Sequence, residues 1–375
     1  MKAILGYCLR LLLYLLWEPI FRLTGRRGMP YAREAVRRIL VVRLDEIGDQ
    51  VLTSPFLREL RRLFPQARIT LVVKPAVVNL VERCPYVDEV LAFDAGIRQR
   101  FGHLKRFARA WRFAGPLRGR RFDLAALPRW DADYYHALPL AYLTGARWRV
   151  GFSERVLAEK RRHDRGADRL LTCAVDERGV RHEVERHRAL IRRLGGDVAA
   201  DRLELWLDAQ DHAAADALLR AQGWQPGGLL IGVGPAGGSS ELKQWPLERF
   251  IAVIAWLREH YGAQVVLVGG PGEEALGRRL AGALPFPVID TIAKTTLRQM
   301  AAILARTRLY LGNDTGPLHI AAAAGVPVVA IFGPSCRHRF GPWSEQAVVL
   351  QHLLPCHPCA AHDEHDVRCP ACTRR

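Results

Sequence analysis

Two series of short apolar runs, each alternating with helical stretches, constrain this chain more than any other feature. In the first, "RRILVVR" is followed by "DQVLTSPFLRELRRLF", "ARITLVVKP", "AVVNLVERC" and "VDEVLAFD"; further on, "RFDLAALPR" and "RWRVGF" flank the helix-like "DADYYHALPLAYLTG". In the second, "LLIGVGP", "AQVVLVGG", "FPVIDTI", "RLYLGND" and "VPVVAIFG" repeat the theme. Strand–helix–strand repetition implies parallel sheets covered by helices on both faces, so the expected fold class is α/β, two Rossmann-like doubly wound domains facing a cleft. Between the series lies "LWLDAQDHAAADALLRAQGWQPGG", a polar, alanine-rich helix ending in Gly and Pro, and the boundary falls within it. The expected organisation is an apolar and basic segment over 1–30, a first domain over 36–208, a second over 226–352 and a Cys-rich tail over 353–375. Ligands of such sheets bind outside the carboxyl ends of the strands.

Three loops of the second series aim there. In "LGNDTGPLHIAAAAGV" a strand ends in Asp314, Thr315 and Gly316, Pro317 takes the first helical turn, and His319 follows within that turn. Pro costs nothing at this position, and a helix start aims unpaired N–H groups and partial positive charge at the sheet edge, a place suited to phosphate. Plain capping explains the Asp and Thr equally; His319 facing the same crevice favours a site. In "GVGPAGGSSELKQWPLERF" glycines allow close backbone approach, Ser239 and Ser240 offer hydroxyls, and Lys243 precedes a helix, together a pyrophosphate clamp. In "VVLVGGPGEEALGRRL" Glu273 and Glu274 stand where a carboxylate can accept from ribose hydroxyls or simply complement a helix dipole. The first series adds "LVVRLDEIGDQVLTSP", where Asp49 opens a helix directly after a strand, as a general base on a sugar hydroxyl or as an N-cap.

Charge narrows the partners. A formal net charge of +17 predicts an anionic one: nucleic acid, anionic lipid or a phosphorylated substrate. The N-terminal "MKAILGYCLRLLLYLLWEPIFRLTGRRG" is short for a membrane span and lacks a small-residue cleavage site, which favours an interfacial helix with aromatic and cationic anchors over a signal peptide; packing on the protein's own surface is the alternative. "RQRFGHLKRFARAWRFAGPLRGRR", residues 98–121, interleaves cations with aromatics, as a nucleic-acid binder, a lipid-binding surface or a solvated basic helix does.

Taken in order, "RLDEIGDQVLTSPFLRELRRLFPQARITLVV", "LKQWPLERF", "VGGPGE" and "GNDTGPLHIAAAAGVPVVAIFGPS" resemble the ADP-heptose:lipopolysaccharide heptosyltransferases, glycosyltransferase family 9, from about Arg38 to Ser335. The resemblance implies the GT-B architecture, with an acceptor-binding N-terminal and a nucleotide-sugar-binding C-terminal domain, and an inverting transfer that needs no metal or other cofactor. By motif, Asp49 becomes the catalytic base, Lys243 the diphosphate ligand, Glu273 the ribose ligand and Asp314 the heptose ligand. Thr315 and Gly316 offer N–H groups to phosphate, Ser239 and Ser240 belong to the donor loop, and His319 lines the pocket. The partners implied are an ADP-sugar, a lipid A-core acceptor and the anionic cytoplasmic face of the inner membrane, with the protein peripheral there and without nucleic acid. The chain departs from the family's usual small hydroxyl residues before the Gly-Asp pair, carrying Asp45, Glu46 and Ile47 instead. Transfer of another nucleotide sugar to a cell-envelope glycan, and a non-catalytic anionic-ligand binder, are the alternatives.

The tail "CHPCAAHDEHDVRCPAC" adds two Cys-x-x-Cys pairs, Cys356, Cys359, Cys369 and Cys372, at the spacing of a structural tetrahedral zinc site. Two disulfides or four free thiols are the competing readings.

Overall fold

The structure, a computed structural model, describes residues 33–96, 102–179, 181–238 and 240–352. The apolar segment over 1–30 and the Cys-rich tail lie outside the described residues, as does Ser239.

The first series forms a sheet of β1 (Arg38–Val42), β2 (Arg68–Val73), β3 (Glu89–Ala92), β4 (Leu124–Leu127), β5 (Trp148–Phe152) and β6 (Cys173–Val175). The second forms a sheet of β7 (Leu230–Gly234), β8 (Gln264–Leu267), β9 (Ile289–Asp290), β10 (Leu309–Asn313), β11 (Val328–Phe332) and β12 (Ala347–Gln351). All neighbouring strands pair in parallel. The spatial orders are β3-β2-β1-β4-β5-β6 and β12-β11-β10-β7-β8-β9. Both are the doubly wound dinucleotide-binding order, which reverses between β1 and β4 in one sheet and between β7 and β10 in the other. Strands β4, β5 and β7 are buried along their whole length, because helices cover both faces and leave no position for a polar alternation.

Two expected helices differ in ways that shape the site. The stretch from Asp49 to Phe64 forms two helices, Ile47–Leu52 and Ser54–Leu63, instead of one. Pro55 cannot donate to the Val51 carbonyl, so the Ser54 hydroxyl donates to it instead at 2.8 Å, and the Thr53 hydroxyl donates to the Asp49 carbonyl at 2.7 Å. The break keeps Asp49 on a short turn at the sheet edge. Likewise only Ala137–Leu143 of "DADYYHALPLAYLTG" is helical. The Asp133 carboxylate accepts from the N–H groups of Ala137 and Leu138 at 2.9 and 2.8 Å, and His136 before them is left-handed at φ 62°. Residues 129–135 therefore stay a loop.

The alanine-rich connecting helix, Ala209–Ala221, has a reciprocal cap between Asp208 and Asp211 and packs beside the helix Leu297–Leu304 of the second half. Arg298 clips it there, with Nε 3.0 Å from Asp211, while Nη1 reaches back to the Asn79 carbonyl of the first half at 2.8 Å.

Candidate active site

The residues after β1, β4, β7 and β10, the four strands flanking the two points where strand order reverses, converge on one cavity of about 940 Å³ lined by both halves. From the first half come Arg43, Asp45, Gly48 and Asp49 after β1, and Arg129 and Asp131 after β4; from the second come Lys243, Asp314, Thr315, Gly316 and His319.

On the second half, the cavity wall is built on buried Asn313. Its side-chain Oδ1 accepts from the Trp245 N–H at 3.0 Å, and its Nδ2 donates to the carbonyls of Pro235 and Ala236 at 2.9 and 3.1 Å. One neutral amide thus ties both ends of the Gly-rich loop to the end of β10. Beside it, Lys243 Nζ lies 2.7 Å from Asp314 Oδ2, and His319 Nε2 lies 3.8 Å from Asp314 Oδ1. Burial pushes the Asp314 carboxyl upward, but His319 and the Lys243 ammonium outweigh it and hold the group well below the usual carboxylate range.

The two halves touch where their glycines are. A Cβ on Gly316 would sit 2.9 Å from Cβ of Ile47, and a Cβ on Gly48 would sit 2.5 Å from Cδ2 of His319. The helices Ile47–Leu52 and Gly316–Ala323 therefore approach closely, and any side chain at either glycine would hold them apart. Gly316 is as much an interdomain contact as a backbone donor.

The first half's wall consists of charge. Arg43, 2% exposed, places Nε 2.7 Å from Asp45, and Nη2 3.5 Å from Asp49 and 3.7 Å from Glu183. Arg129 pairs with Asp45 and, at 2.7 Å, with Asp131. From the second half, Arg339 reaches across to Asp131 at 3.1 Å and Glu183 at 2.6 Å. The guanidiniums of Arg186 and Arg339 both lie over the Trp130 ring, 3.4 and 4.7 Å from its centroid. Asp49 keeps about a quarter of its side chain exposed, facing the cavity (24%). Burial pushes its carboxyl up, Arg43 pulls it down, and Glu183 and Asp131 push it up again, leaving it raised from its ordinary value. Glu46 turns away from this cluster, accepting from Lys74 and from Tyr135, the latter at 2.8 Å.

Of the residues singled out in the sequence, Asp49, Lys243, Asp314, Thr315, Gly316 and His319 line the cavity and Glu273 and Ser240 do not. Glu273 folds back so that its Oε2 accepts from the Gly270 N–H at 2.8 Å, and burial raises its carboxyl. Ser240 opens a short 3-10 turn, its carbonyl accepting from the Lys243 N–H. Sequence reasoning missed Asn313 and the whole network of Arg43, Arg129, Asp131, Glu183 and Arg339. A signal existed for Arg43 and Asp131, since "RLD" and "PRWD" put charges directly after apolar strands; nothing local marks Arg339.

The wall is not basic, although the chain is. Its lining residues include six Lys and Arg side chains against eight Asp and Glu, so the chain's excess positive charge lies elsewhere.

Two doubly wound sheets whose reversal points face a shared polar cavity define a GT-B protein, the architecture of nucleotide-sugar transferases. The chain belongs to glycosyltransferase family 9 (heptosyltransferase), whose model matches residues 117–366, and it is accordingly a transferase. It is similar to lipopolysaccharide heptosyltransferase 2 of Salmonella typhimurium, 28% identical over 338 residues that cover 85% of this chain and 89% of the relative. Among solved structures it resembles the family 9 glycosyltransferase of Veillonella parvula, at TM-score 0.71 and 25% identity over 84% of this chain and 86% of the other. Its fold also matches ADP-heptose lps heptosyltransferase II of E. coli, at TM-score 0.67 and 22% identity over 84% of this chain and 91% of the other. No helix among the described residues is long and apolar enough to cross a membrane.

Proposed function

We propose that this protein transfers a heptose from ADP-heptose to the inner core of lipopolysaccharide, with inversion and without a metal, using Asp49 as general base. The observation that carries the reading is the placement of Asp49 across one cavity from Lys243, Asp314 and the helix start at Thr315 and Gly316. Residues 36–208 then form the acceptor-binding domain and 226–352 the donor-binding domain. The similarity to lipopolysaccharide heptosyltransferase 2 of Salmonella, aligned over most of both chains, supports heptose as the sugar and lipopolysaccharide as the acceptor.

In this reading Asp49 takes the proton from an acceptor hydroxyl as that oxygen attacks the anomeric carbon, opposite the departing diphosphate. A carboxyl raised from its ordinary value by burial is a stronger base than a solvated aspartate. Negative charge grows on the leaving phosphate, where Lys243 and the N–H groups of Thr315 and Gly316 stabilise it. Asp314, held ionised, accepts from heptose hydroxyls while fixing Lys243. His319, packed on Gly48, fixes Asp314 from the other side. Glu273 serves the ribose, and Ser239 and Ser240 belong to the donor loop. Four thiolates of the tail, Cys356, Cys359, Cys369 and Cys372, hold a zinc with no open position for chemistry.

The exposed surface supplies the membrane contact. On the helix Gly102–Arg118, Trp111 is 44% exposed with the Arg118 guanidinium over its ring, and Arg109 is half exposed. Together with residues 1–30, this basic and aromatic surface holds the protein on anionic lipid at the inner face of the inner membrane. Salt-sensitive binding to anionic but not neutral vesicles checks it.

A thermal-shift screen of ADP, UDP and GDP and their sugars, followed by transfer assays with the best donor, tests the function. Selective stabilisation by ADP and ADP-heptose is expected. Preference for a uridine or guanosine nucleotide would overturn the donor assignment.

A further inference from the structure

Arg339 has no role in the reaction described above, yet it is 1% exposed, carries a full charge and is the point at which the second half enters the first half's ion network. It sits on the short helix Arg337–Phe340, between β11 and β12. Its Nε lies 2.6 Å from Glu183, in the first turn of the helix Glu183–Arg193. Glu183 also lies 3.7 Å from Arg43, and Arg43 lies 3.5 Å from Asp49. The four charges form a chain: Arg339, Glu183, Arg43, Asp49.

We propose that Arg339 is a positioning residue for the transfer: by satisfying Glu183 it leaves Arg43 to hold Asp49, so the base is set only when the two domains are docked. The inference rests on Asp49 being the base. Arg43 Nε is taken by Asp45 at 2.7 Å, its Nη2 is shared between Asp49 and Glu183, and the nearer partner of Glu183 is the one from the opposite domain. If Arg339 withdraws, Glu183 keeps only Arg43 and the more distant Arg186, at 3.9 Å, to balance its charge. Arg43 then leans toward Glu183, and Asp49 loses counter-charge. Glu183 itself, though buried, is held down to about 2 by Arg339 and Arg43, so it stays ionised and competes for Arg43 throughout the working pH range.

The remaining groups around Asp49 do not substitute for Arg339. On its own turn the Glu46 N–H donates to it at 3.2 Å, while the Glu46 side chain is taken by Lys74. Arg129 is engaged by Asp45 and Asp131, and Asp131 adds negative charge. His187, on the helix of Glu183, is kept neutral by burial and by Arg43. From the second half come Arg339 and His319, the latter against Gly48 and turned to Asp314, while Lys243 across the cavity is taken by Asp314. The Arg339 contact is also sealed: His182 Nε2 donates to the Gly341 carbonyl at 2.9 Å, and the His182 ring lies 4.4 Å from that of Trp343. Domain docking on the donor and readiness of the base thereby become one event.

The test is the pH dependence of kcat for heptosyl transfer in the full chain. In Arg339→Gln the acid limb is expected to move up by about one pH unit, because a charge is lost a few ångströms from the Asp49 network. In Arg339→Lys, which keeps the charge, the limb stays near wild type. In Glu183→Gln, which frees Arg43 and keeps the Arg339 charge while removing its carboxylate partner, the limb moves down, and in the double variant it returns toward wild type. A kcat lowered equally at every pH in Arg339→Gln, with its limb unmoved, marks a purely structural role and overturns the proposal. Should Arg339→Gln fail to fold, an unmoved limb in Glu183→Gln overturns it as well. Asp49→Asn separates the two ideas: full transfer by that variant removes the base assignment itself, whereas inactive Asp49→Asn with unmoved limbs in the others removes only the role of Arg339.

Discussion

The two sheets share a strand order but build their edges from opposite materials. The first half meets the cavity with charged side chains paired to one another, two arginines, Arg43 and Arg129, among four carboxylates, Asp45, Asp49, Asp131 and Glu183. The second meets it with glycines, a helix start and backbone groups held by one neutral amide, Asn313, and with a single ion pair, Lys243 to Asp314, flanked by His319. The difference matches what each edge is proposed to do. A base needs its protonation set by neighbouring charge, while a diphosphate needs donors that are in place before it arrives. One fold supplies both because the reversal point fixes only where the loops go, and the loop residues decide the chemistry.

The comparison can be broken most forcefully at Asn313. Asn313→Ala leaves the Trp245 N–H and the Pro235 and Ala236 carbonyls without their partner, and should cost about 3 kcal/mol of stability or more, with loss of ADP binding. Urea unfolding should give the same cost at pH 5.5 and pH 8, since Asn313 and its partners do not titrate; a pH-dependent cost would show that the Asn313 anchor is coupled to charge.

Next is Lys243→Met, which removes one charge-assisted contact to the proposed diphosphate and should weaken ADP binding roughly 10- to 100-fold by calorimetry. Unchanged affinity would move the diphosphate site away from Lys243 and Asp314.

The first half, in contrast, should respond to acid. His187 is held down to about 3 by burial and by Arg43, so it stays neutral in the folded protein while the unfolded chain takes up a proton near pH 6.5. Its contribution is complete above pH 6.5 and is lost as pH falls toward 3. Glu183, lowered to about 2, adds a second loss as pH falls below about 4.3. Unfolding midpoints should therefore decline gradually below pH 6.5 and more steeply below about 4.3. His187→Phe should flatten the upper part of that slope; an unaltered slope would assign the acid sensitivity to other groups.

The smallest effect is expected at Glu273, whose carboxylate caps its own turn outside the cavity lining. Glu273→Gln keeps an acceptor for the Gly270 N–H, so the donor KM should rise only a few-fold with kcat held. A large fall in kcat would place Glu273 nearer the reacting sugar than this structure does.

Much of the fold was legible because buried parallel strands must be continuous apolar runs, as "RILVV" and "LYLGN" are. The strands Cys173–Val175 and Ala347–Gln351 were not: the first spans three residues, and the second is an edge strand with Val348 and Leu350 more than half exposed. Helix limits failed where a side chain replaced a backbone partner, at Ser54 and at Asp133. In the site, motifs that follow a strand were readable, hence Asp49, Lys243, Asp314 and His319. The ion network was not, since its members meet only through tertiary structure; Arg339 and Glu183 stand 156 residues apart. Gly316 shows a subtler limit, because its closest neighbour, Ile47, lies on the other sheet's first helix.

The most direct measurement is a side-by-side assay of wild type and Asp49→Asn, scoring heptose added to a lipid A-core acceptor by mass and ADP affinity by calorimetry. The account predicts one added heptose with wild type, transfer reduced on the order of 100- to 10,000-fold in the variant, and nearly equal ADP affinity. Near-normal transfer by Asp49→Asn would contradict it.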